Sequence, residues 1–342
     1  RVREWAAIVL GRVDTDRGPQ SYLLPLGALW GEEHVQFGAP TLSATVVKLR
    51  RANRLGALVD VADDPAFAEA LLEAMKAGET HRGDGLTLIA SGSDALSDSP
   101  AAERVRPLGV EQSNVSLAFD DRAILKLYRR LQYGPQPEVE VARFLTEKTD
   151  FANTPAYLGE ARLRREDGAE ATAAACFAFV RNQGDAWTVM VDALARALED
   201  RAHADILQPV EDETTGEFPY PLNLAETLGR RTGEMHRALA TPADEPGFGT
   251  EPVGEADVRD LVADIRAQAR DAFDRLVGVE RTEEIETLRR RRSEADAALE
   301  RMAALRPQGL KSRIHGDYHL GQVLVAEADV YVIDFEGEPR RS

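Results

Sequence analysis

Three polar residues near the end of this sequence have the types and the spacing that phosphoryl transfer requires. Asp317 lies in the run His-Gly-Asp-Tyr-His-Leu-Gly-Gln, which ends at Gln322, and Asp334 follows the apolar run Val-Tyr-Val-Ile. In kinases, the first aspartate of such a pattern orients the acceptor hydroxyl, while the polar residue and the second aspartate hold magnesium against the nucleotide phosphates. The pattern predicts Asp317 as the catalytic residue and Gln322 and Asp334 as metal ligands.

The surrounding elements must bring these residues together, because Asp317 and Asp334 lie 17 residues apart. Residues 323–326 and 330–333 are apolar runs separated by Glu-Ala-Asp, which predicts a two-stranded hairpin. A hairpin returns the chain to the end at which it started, so we expect the two aspartates to be neighbours in space. A lone His-Gly-Asp, or an aspartate after a strand, is common on protein surfaces; the ordered combination is what indicates function.

Length, charge and cysteine content narrow the class of protein. The 342 residues are enough for two or three lobes around a sizeable core. The net charge of -17 argues against binding to nucleic acid or to an anionic membrane. Cys176 is the single cysteine, which excludes an intrachain disulfide framework. No segment is long and apolar enough to span a bilayer and no signal peptide is visible, which favours the cytoplasm.

Residues 1–100 are predicted to form a separate β-rich unit, the cap domain. The pattern favours a helix that begins at Pro65 behind Asp64. Strands are predicted at residues 21–26, 45–49, 56–61 and 86–90. The polar, small-residue stretch at 91–100 is typical of a connection. This unit contains no catalytic constellation.

Residues 101–181 alternate strands and a helix, as the upper lobe of a kinase does. Lys126 lies on the second strand of a predicted hairpin, and the period of two places it on the face opposite its apolar neighbours. The helix that follows offers Glu138 or Glu140 as a partner, and Glu140 is our choice because it is further from the exposed first turn. By itself Lys126 fits a solvated strand face equally well. With the C-terminal motifs it is the predicted contact to the nucleotide phosphates.

The apolar strand that ends near Val180 leads into the position of a kinase hinge, so Phe179 and Val180 are predicted adenine contacts. Residues 182–342 are assigned to the lower lobe, with helices at 187–201, 223–239 and 255–305, the last broken near Gly278. His236 and the arginine run at 289–292 are interpreted as helix-surface residues. The chain begins at Arg1 and ends at Ser342, shortly after Asp334, so we expect a fragment whose lower lobe lacks the helices that contact the acceptor.

These residues resemble those of the maltokinases, sugar kinases with an aminoglycoside-phosphotransferase-like fold. The resemblance covers most of residues 105–342 and is carried by the stretches at 111–116, 124–130, 138–147, 182–187, 315–322 and 334–339. It implies an α+β, bilobal protein-kinase-like fold with an N-terminal β-rich cap domain. It also implies transfer of the γ-phosphate of ATP, with Mg²⁺, to the anomeric hydroxyl of maltose, giving maltose 1-phosphate for glycogen or α-glucan synthesis. Some members are fused to trehalose synthase, so association or fusion with that enzyme is expected.

The resemblance also assigns roles to individual residues. Asp317 is the catalytic base, Gln322 and Asp334 are magnesium ligands, and Lys126 forms the phosphate-positioning pair with Glu140. Ser113, Asn114 and Ser116 occupy the phosphate-loop position, and Tyr318 and His319 lie beside the acceptor, although His319 fits a loop-fixing role equally well. Two departures from the kinase pattern are evident: the loop at 111–116 contains no glycine, and Gln322 replaces the usual Asn. The Gln322 side chain keeps the amide oxygen that a hard cation such as Mg²⁺ accepts as a ligand.

Two other functions compete with a maltose kinase. The first is a kinase for another small polar acceptor, such as glucosamine or an aminoglycoside. An aminoglycoside site should be strongly acidic, and the acidic residues here are spread along the chain. The second is a catalytically silent module that senses nucleotide. Such a module should have lost Lys126, Asp317 or Asp334, and all three are present, which favours an enzyme.

Overall fold

The computed structural model describes residues 6–16, 18–36, 40–110, 114–204, 223–276, 279 and 282–337. The chain divides into two compact units, one formed by residues 1–238 with 315–342 and the other by residues 239–314. The strands are β1 (Ala6–Thr15), β2 (Gly18–Trp30), β3 (Thr45–Arg51), β4 (Arg54–Asp60), β5 (Thr80–Arg82), β6 (Leu86–Gly92), β7 (Val105–Val110), β8 (Asn114–Phe119), β9 (Ala123–Tyr128), β10 (Arg130–Leu131), β11 (Tyr157–Arg165), β12 (Glu170–Ala178), β13 (Thr250–Pro252), β14 (Leu310–Ser312), β15 (Val323–Ala326) and β16 (Asp329–Val332). The helices are α1 (Pro65–Ala77), α2 (Asp94–Ser97), α3 (Pro137–Lys148), α4 (Ala186–Ala204), α5 (Leu224–Leu239), α6 (Glu255–Arg275), α7 (Glu283–Arg290) and α8 (Arg292–Ala303).

The N-terminal part of the first unit is an antiparallel sheet with strand order β1-β2-β4-β3, and β10 pairs with β2. The predicted strands at 21–26, 45–49 and 56–61 are present as β2, β3 and β4, whereas β1 was not predicted. Helix α1 begins where expected, because the Asp64 carboxylate accepts hydrogen bonds from the backbone N–H groups of Ala66 and Phe67. It ends at Gly78, whose φ of 63° is the left-handed conformation that glycine adopts without strain.

A second sheet of seven antiparallel strands forms the body of the first unit, with the order β5-β6-β11-β12-β9-β8-β7. Strands β5 and β6 belong to the segment predicted as the cap, so the cap and the upper lobe share this sheet. One hydrophobic core also joins both sheets, since Leu23, Leu71 and Leu125 are all buried in it. Cys176 is fully buried in the same core, as its apolar surroundings indicate. The domain boundary at residue 100 stays a prediction.

The hairpin of β8 and β9 places the predicted lysine on a sheet face. Its loop contains Asp120 and Asp121 with φ of 49° and 51°, a conformation that aspartate tolerates better than most residues. Strand β9 pairs Lys126 with Ser116 on β8 and with Ala175 on β12. Helix α3 packs against this face through Val139 and Ala142, which form a small buried cluster with sheet residues.

The C-terminal part of the first unit contains the predicted hairpin, formed by β15 and β16. Its turn includes Glu327 with φ of 57°. The segment after β12 pairs with it, because Gln183 N–H donates to the Val325 carbonyl at 2.8 Å and Val325 N–H donates to the Gly184 carbonyl at 3.0 Å. Helices α4 and α5 pack on the hairpin through Ala186 and Leu224. The strands at 323–326 and 330–333 are therefore confirmed within one residue.

The second unit consists of the β13–β14 hairpin with α6, α7 and α8. Val262 on α6 and Leu299 on α8 are buried. The helical stretch expected at 255–305 is present as these three helices, and Gly278, where a break was predicted, lies outside the described residues. None of the helices in the described ranges has both the length and the apolar character needed to cross a membrane.

Candidate active site

A cleft of about 460 Å³ lies between the β8–β9–β12 face, helix α3 and the segments on either side of the β15–β16 hairpin. Its polar lining residues are Asn114, Ser116, Lys126, Glu138, Thr154, Asn182, Gln322, Asp334 and Glu336. Its apolar lining includes Ile124, Ala142, Phe177, Val180, Leu324 and Ile333. The cleft therefore has a charged part, and its apolar side chains provide a surface on which an uncharged ligand ring could pack.

Lys126 is the centre of the charged part of this cleft. Its ammonium donates hydrogen bonds to Glu138 Oε2 and to Glu336 Oε1, each at 2.8 Å, and lies 3.7 Å from Asp334 Oδ1. The lysine and Glu138 side chains are only 14% and 12% exposed. Lys126 is thus held by one carboxylate from α3 and by two from the chain that follows β16.

The choice of Glu140 as the lysine partner is corrected by these contacts, because the α3 carboxylate at Lys126 is that of Glu138. Successive residues of a helix are rotated by about 100°, so residues two apart point in nearly opposite directions. Glu138 shares its face with Ala142, four residues later, and both line the cleft. Glu140 lies about 200° further round the helix. Distance from the helix end was the wrong criterion, because the face of the helix decides the contact.

The charges in this cluster depend on one another. Burial raises the pKa of Glu138 to about 7, while Lys126 acts in the opposite direction. Burial also acts to lower the pKa of Lys126, but Glu138, Glu336 and Asp334 outweigh it and raise this pKa above its usual value. Because the lysine ammonium and the Tyr128 hydroxyl both donate to Glu138 Oε2, the contacts are those of an ionised carboxylate.

Gln322 and Asp334, the two predicted metal ligands, lie side by side. The Gln322 amide nitrogen donates to Asp334 Oδ2 at 3.0 Å. Asp334 has a φ of 63°, a left-handed conformation that a non-glycine residue adopts rarely and that is most frequent at functional sites. The other carboxylate oxygen, Oδ1, is buried and has no hydrogen-bond partner among the described residues.

The same residues satisfy the requirements of a divalent cation. Carboxylate oxygens of Glu138, Asp334 and Glu336 all lie within 4.8 Å of one another. Magnesium prefers such oxygen ligands, and Asp334 Oδ1 accepts no hydrogen bond from the described residues, although the Lys126 ammonium lies 3.7 Å away. The residues present therefore fit a magnesium ion. Sequence reasoning missed Glu336, although this residue lies in the Asp-Phe-Glu motif that it had singled out, and it considered Glu138 only as an alternative partner of Lys126.

His315 connects the Asp317 loop to the strand that precedes Asp334. Its Nε2 lies 2.8 Å from the Ile333 carbonyl oxygen, and its Nδ1 accepts the Asp317 N–H at 3.4 Å. These two contacts require the proton on Nε2. The ring is 3% exposed, packs 4.6 Å from the Phe335 ring, and burial lowers its pKa, so it is a neutral side chain. Sequence reasoning treated His315 only as a part of the motif.

The two residues after Asp317 have contacts that hold the loop. The Tyr318 hydroxyl and the Thr232 hydroxyl of α5 are 2.8 Å apart. His319 is exposed, and its Nδ1 accepts the Gly321 N–H at 3.0 Å at the start of the 3₁₀ turn Leu320–Gln322. Of the two roles left open for His319, the structure contains the loop-fixing contact. Contact of Tyr318 or His319 with an acceptor stays a prediction.

The two predicted adenine contacts, Phe179 and Val180, differ in their position relative to the cleft. Val180 lines the cleft, and its carbonyl oxygen accepts the Asn182 amide at 2.8 Å. Phe179 has its backbone N–H bonded to the Arg122 carbonyl at 2.9 Å and its ring under the Arg106 guanidinium, and it does not line the cleft. The aromatic residue of β12 that does so is Phe177, which lies two residues after Ala175, the β12 partner of Lys126, and therefore shares the sheet face of the lysine. Contact of Phe179 with adenine stays a prediction, although Phe177 and not Phe179 lines the cleft.

The predicted phosphate loop is described in part. Ser113 lies outside the described residues. Asn114 and Ser116 line the cleft, and the β8–β9 register places them opposite Tyr128 and Lys126. These two polar residues are thus on the sheet face that carries the lysine.

The chain is similar to known phosphotransferases over most of its length. The model of the phosphotransferase enzyme family matches residues 104–337. A glucosamine kinase from Mycolicibacterium smegmatis is 27% identical over 274 residues, which are 80% of this chain and 60% of that protein. A glucosamine kinase from Streptacidiphilus jiangxiensis is 27% identical over 237 residues, 68% of this chain and 48% of that protein. The chain thus spans about half to three fifths of the length of these relatives.

Solved structures match the whole chain. A glucosamine kinase in complex with glucosamine, ADP and inorganic phosphate has a TM-score of 0.60 and 21% identity, covering 99% of this chain and 66% of that one. A second crystal form of glucosamine kinase has a TM-score of 0.61 and 20% identity, covering 99% of this chain and 65% of that one. At these identities the likeness concerns the fold. The predicted mixed α and β, kinase-like fold is confirmed.

Proposed function

This chain belongs to the phosphotransferase enzyme family, and from that premise we propose that it is an ATP-dependent kinase that phosphorylates a hydroxyl of a small sugar. The observation that carries the proposal is the meeting of Lys126, Gln322 and Asp334 in one cleft. A lysine that faces phosphates and an aspartate that faces a cation are the parts that phosphoryl transfer needs most, because the protein contributes mainly position and charge.

The phosphates of the nucleotide are proposed to bind at the charged part of the cleft. Lys126 presents its ammonium there and neutralises charge on the phosphate oxygens. Asn114 and Ser116 lie on the same sheet face and offer polar atoms for further contacts. The adenine ring is proposed to lie against Phe177 and Val180, whose apolar surfaces line the cleft.

Asp334 and Gln322 are proposed to hold magnesium, with Glu138 and Glu336 close enough to take part. When bound, the ion supplies positive charge that neutralises the phosphate oxygens. The residues themselves orient this site: the left-handed conformation of Asp334 and the amide of Gln322 determine where the aspartate oxygens point.

Asp317 is proposed to bind the acceptor hydroxyl and to take its proton. The hydroxyl oxygen forms a bond to the γ-phosphorus, the bond from that phosphorus to the bridging oxygen of ADP breaks, and the hydroxyl proton passes to the Asp317 carboxylate. His315 holds this loop against the strand before Asp334 through its two ring nitrogens. His315 therefore links the loop of the proposed base to the residue before the proposed metal ligand Asp334.

For the acceptor we propose glucosamine, because the two relatives and the two solved structures described above are glucosamine kinases. Maltose is the second candidate, favoured by the resemblance of the stretches at 315–322 and 334–339 to those of maltokinases. Association with trehalose synthase is proposed only for the maltose case.

ADP release with ATP and magnesium is the experiment that tests this function. Glucosamine, maltose, glucose, kanamycin and a sugar-free blank would be compared, with the Asp317→Asn variant beside the wild type. Turnover that depends on glucosamine and collapses in the variant supports the proposal. Turnover on another sugar only replaces the acceptor. ATP binding without turnover on any acceptor contradicts the kinase and favours a nucleotide-sensing module.

A further inference from the structure

Tyr128 lies behind the lysine and has no role in the proposed mechanism, yet it contacts the same carboxylate oxygen as the lysine. Its hydroxyl donates to Glu138 Oε2 at 2.7 Å, and Lys126 Nζ donates to that oxygen at 2.8 Å. Tyr128 is two residues after Lys126 on β9, so both side chains point to the same face of the sheet. The lysine ammonium also lies 5.7 Å from the centre of the tyrosine ring.

The hydroxyl of Tyr128 is not needed for packing. The tyrosine ring is buried in a small cluster with Val139, Ala142, Tyr157 and Phe177, and a phenylalanine ring would fill that space as well. A buried hydroxyl without a partner is unfavourable, so this one is compatible with the cluster only because Glu138 accepts a hydrogen bond from it. The contact that distinguishes tyrosine from phenylalanine here is therefore the one to Glu138.

The position of Glu138 decides where the lysine ammonium lies. Glu336 and Asp334, from the segment after β16, approach Lys126 at 2.8 and 3.7 Å. Both belong to the segment proposed to face magnesium. If the Glu138 carboxylate turned away, the lysine would have only these two acidic partners and would shift toward the metal position. A second donor on Oε2 opposes that rotation, because it restrains the carboxylate from the buried side.

We propose that Tyr128 is a positioning residue, whose hydroxyl holds the Glu138 carboxylate so that Lys126 faces the nucleotide phosphates. The inference rests on the proposed function, in that it assumes a nucleotide in this cleft. It adds a third member to the lysine–glutamate pair. Tyr128 itself does not line the cleft and is not expected to touch the nucleotide.

The test removes the hydroxyl and measures nucleotide binding directly. In Tyr128→Phe the Kd of Mg·ATP, measured by calorimetry on the full chain without acceptor, should rise about tenfold, the scale of one hydrogen bond to a charged group. In turnover assays the KM for ATP should rise in parallel, while the KM for the acceptor stays unchanged. A purely structural role would move both KM values or neither.

Tyr157→Phe is the matched control, because it removes a hydroxyl from the same buried cluster without contacting Glu138 or Lys126. Both variants should unfold at similar temperatures, and only Tyr128→Phe should lose affinity for ATP. Equal ATP affinity in Tyr128→Phe and the wild type would overturn the inference and leave the proposed function intact. Absence of ATP binding by the wild type would overturn both.

A double variant distinguishes a specific effect on Glu138 from a general loss of structure. In the Glu138→Gln background, Tyr128→Phe should have little further effect on ATP affinity, because the two residues act through one contact. If the two losses add, Tyr128 acts by another route and the inference is wrong. If Tyr128→Phe is itself too unstable to assay, a Glu138→Gln protein that keeps wild-type ATP affinity also overturns it.

Discussion

Lys126 and Glu336 are 210 residues apart in the chain, and their side chains meet at 2.8 Å between Nζ and Oε1. The contact joins strand β9 to the segment after β16, and it lies directly beside the Lys126–Glu138 pair. Since both glutamates bond the same ammonium, the lysine connects helix α3 to the segment that carries Asp334. The charged part of the cleft is therefore assembled from three distant parts of the sequence.

Glu138→Gln and Glu140→Gln form a matched pair on one helix. Glu138→Gln removes the charge that faces Lys126, and we expect the KM for ATP to rise roughly tenfold or more, the scale of a charge-assisted hydrogen bond. Glu140→Gln, on another face of α3, should change the KM for ATP by no more than about twofold. Steady-state kinetics with ATP as the varied substrate measure both.

The Glu140 variant is the internal control for helix stability, since it makes the same chemical change two residues away. A larger effect at Glu140 than at Glu138 would contradict the assignment of the partner. Circular dichroism of both variants should match the wild type.

Glu336→Gln should separate binding from turnover. Without divalent ions, ATP should bind roughly five- to tenfold more tightly, because one negative charge beside Lys126 is removed. With magnesium, turnover should fall by about tenfold or more, because the variant loses a charged oxygen close to the proposed ion. Calorimetry in a chelator and kinetics in magnesium would be run on the same protein.

Glu300→Gln, at an exposed position of α8, is the control for a general change in charge and should affect neither quantity. Weaker binding of metal-free ATP by Glu336→Gln would show that Glu336 helps the lysine instead of competing with the phosphates for it.

His315→Gln should reduce kcat by about 10²-fold, the size expected when a catalytic group is displaced by about an ångström. The glutamine side chain cannot reproduce both ring contacts, so the Asp317 loop loses its link to Ile333. The free energy of unfolding should fall by about 1–3 kcal/mol, because a hydrogen bond in the interior is lost. The KM values should change little. Single-turnover kinetics and urea unfolding measure these effects.

His236→Gln is the comparison variant, because His236 is exposed on α5. It should leave kcat and stability unchanged. A His315→Gln protein with normal kcat would mean that the Asp317 loop is held without the histidine.

Cys176 should make stability depend on alkaline pH. Burial raises the pKa of this thiol to about 12, from an ordinary value of 9.0. Above pH 9 the unfolded thiol loses its proton and the folded one retains it, so the folded state binds more protons and stability falls as pH rises. The contribution is about 1 kcal/mol per pH unit between 9 and 12. Urea unfolding at pH 8, 9 and 10 would measure it.

Cys176→Ala provides the reference, because alanine does not titrate. The stability difference between wild type and variant should shrink as pH rises from 8 to 10, and a constant difference would contradict the assigned environment. In the wild type, a thiol reagent at pH 8 should react only after denaturant is added.

Much of the local structure could be predicted from the sequence. The strands at β2 to β4, the helix that begins at Pro65 and the hairpin at 323–326 follow from periodicity and capping residues, which act over a few positions. Strand β1 was missed, although residues 6–10 form a short apolar run, because a run of this length does not by itself distinguish a strand from a buried helix. Its place in the sheet depends on pairing with β2 along its whole length.

The sequence by itself predicted the roles that we propose for Asp317, Gln322 and Asp334, since the identity and order of these residues can be read from short spacings. The tertiary structure decided which acids surround Lys126. Whether Glu138 or Glu140 meets the lysine depends on how α3 is rotated against the sheet, and Glu336 meets it because the tertiary fold brings the segment after β16 to β9. Such contacts arise from packing between distant segments, which no local spacing encodes.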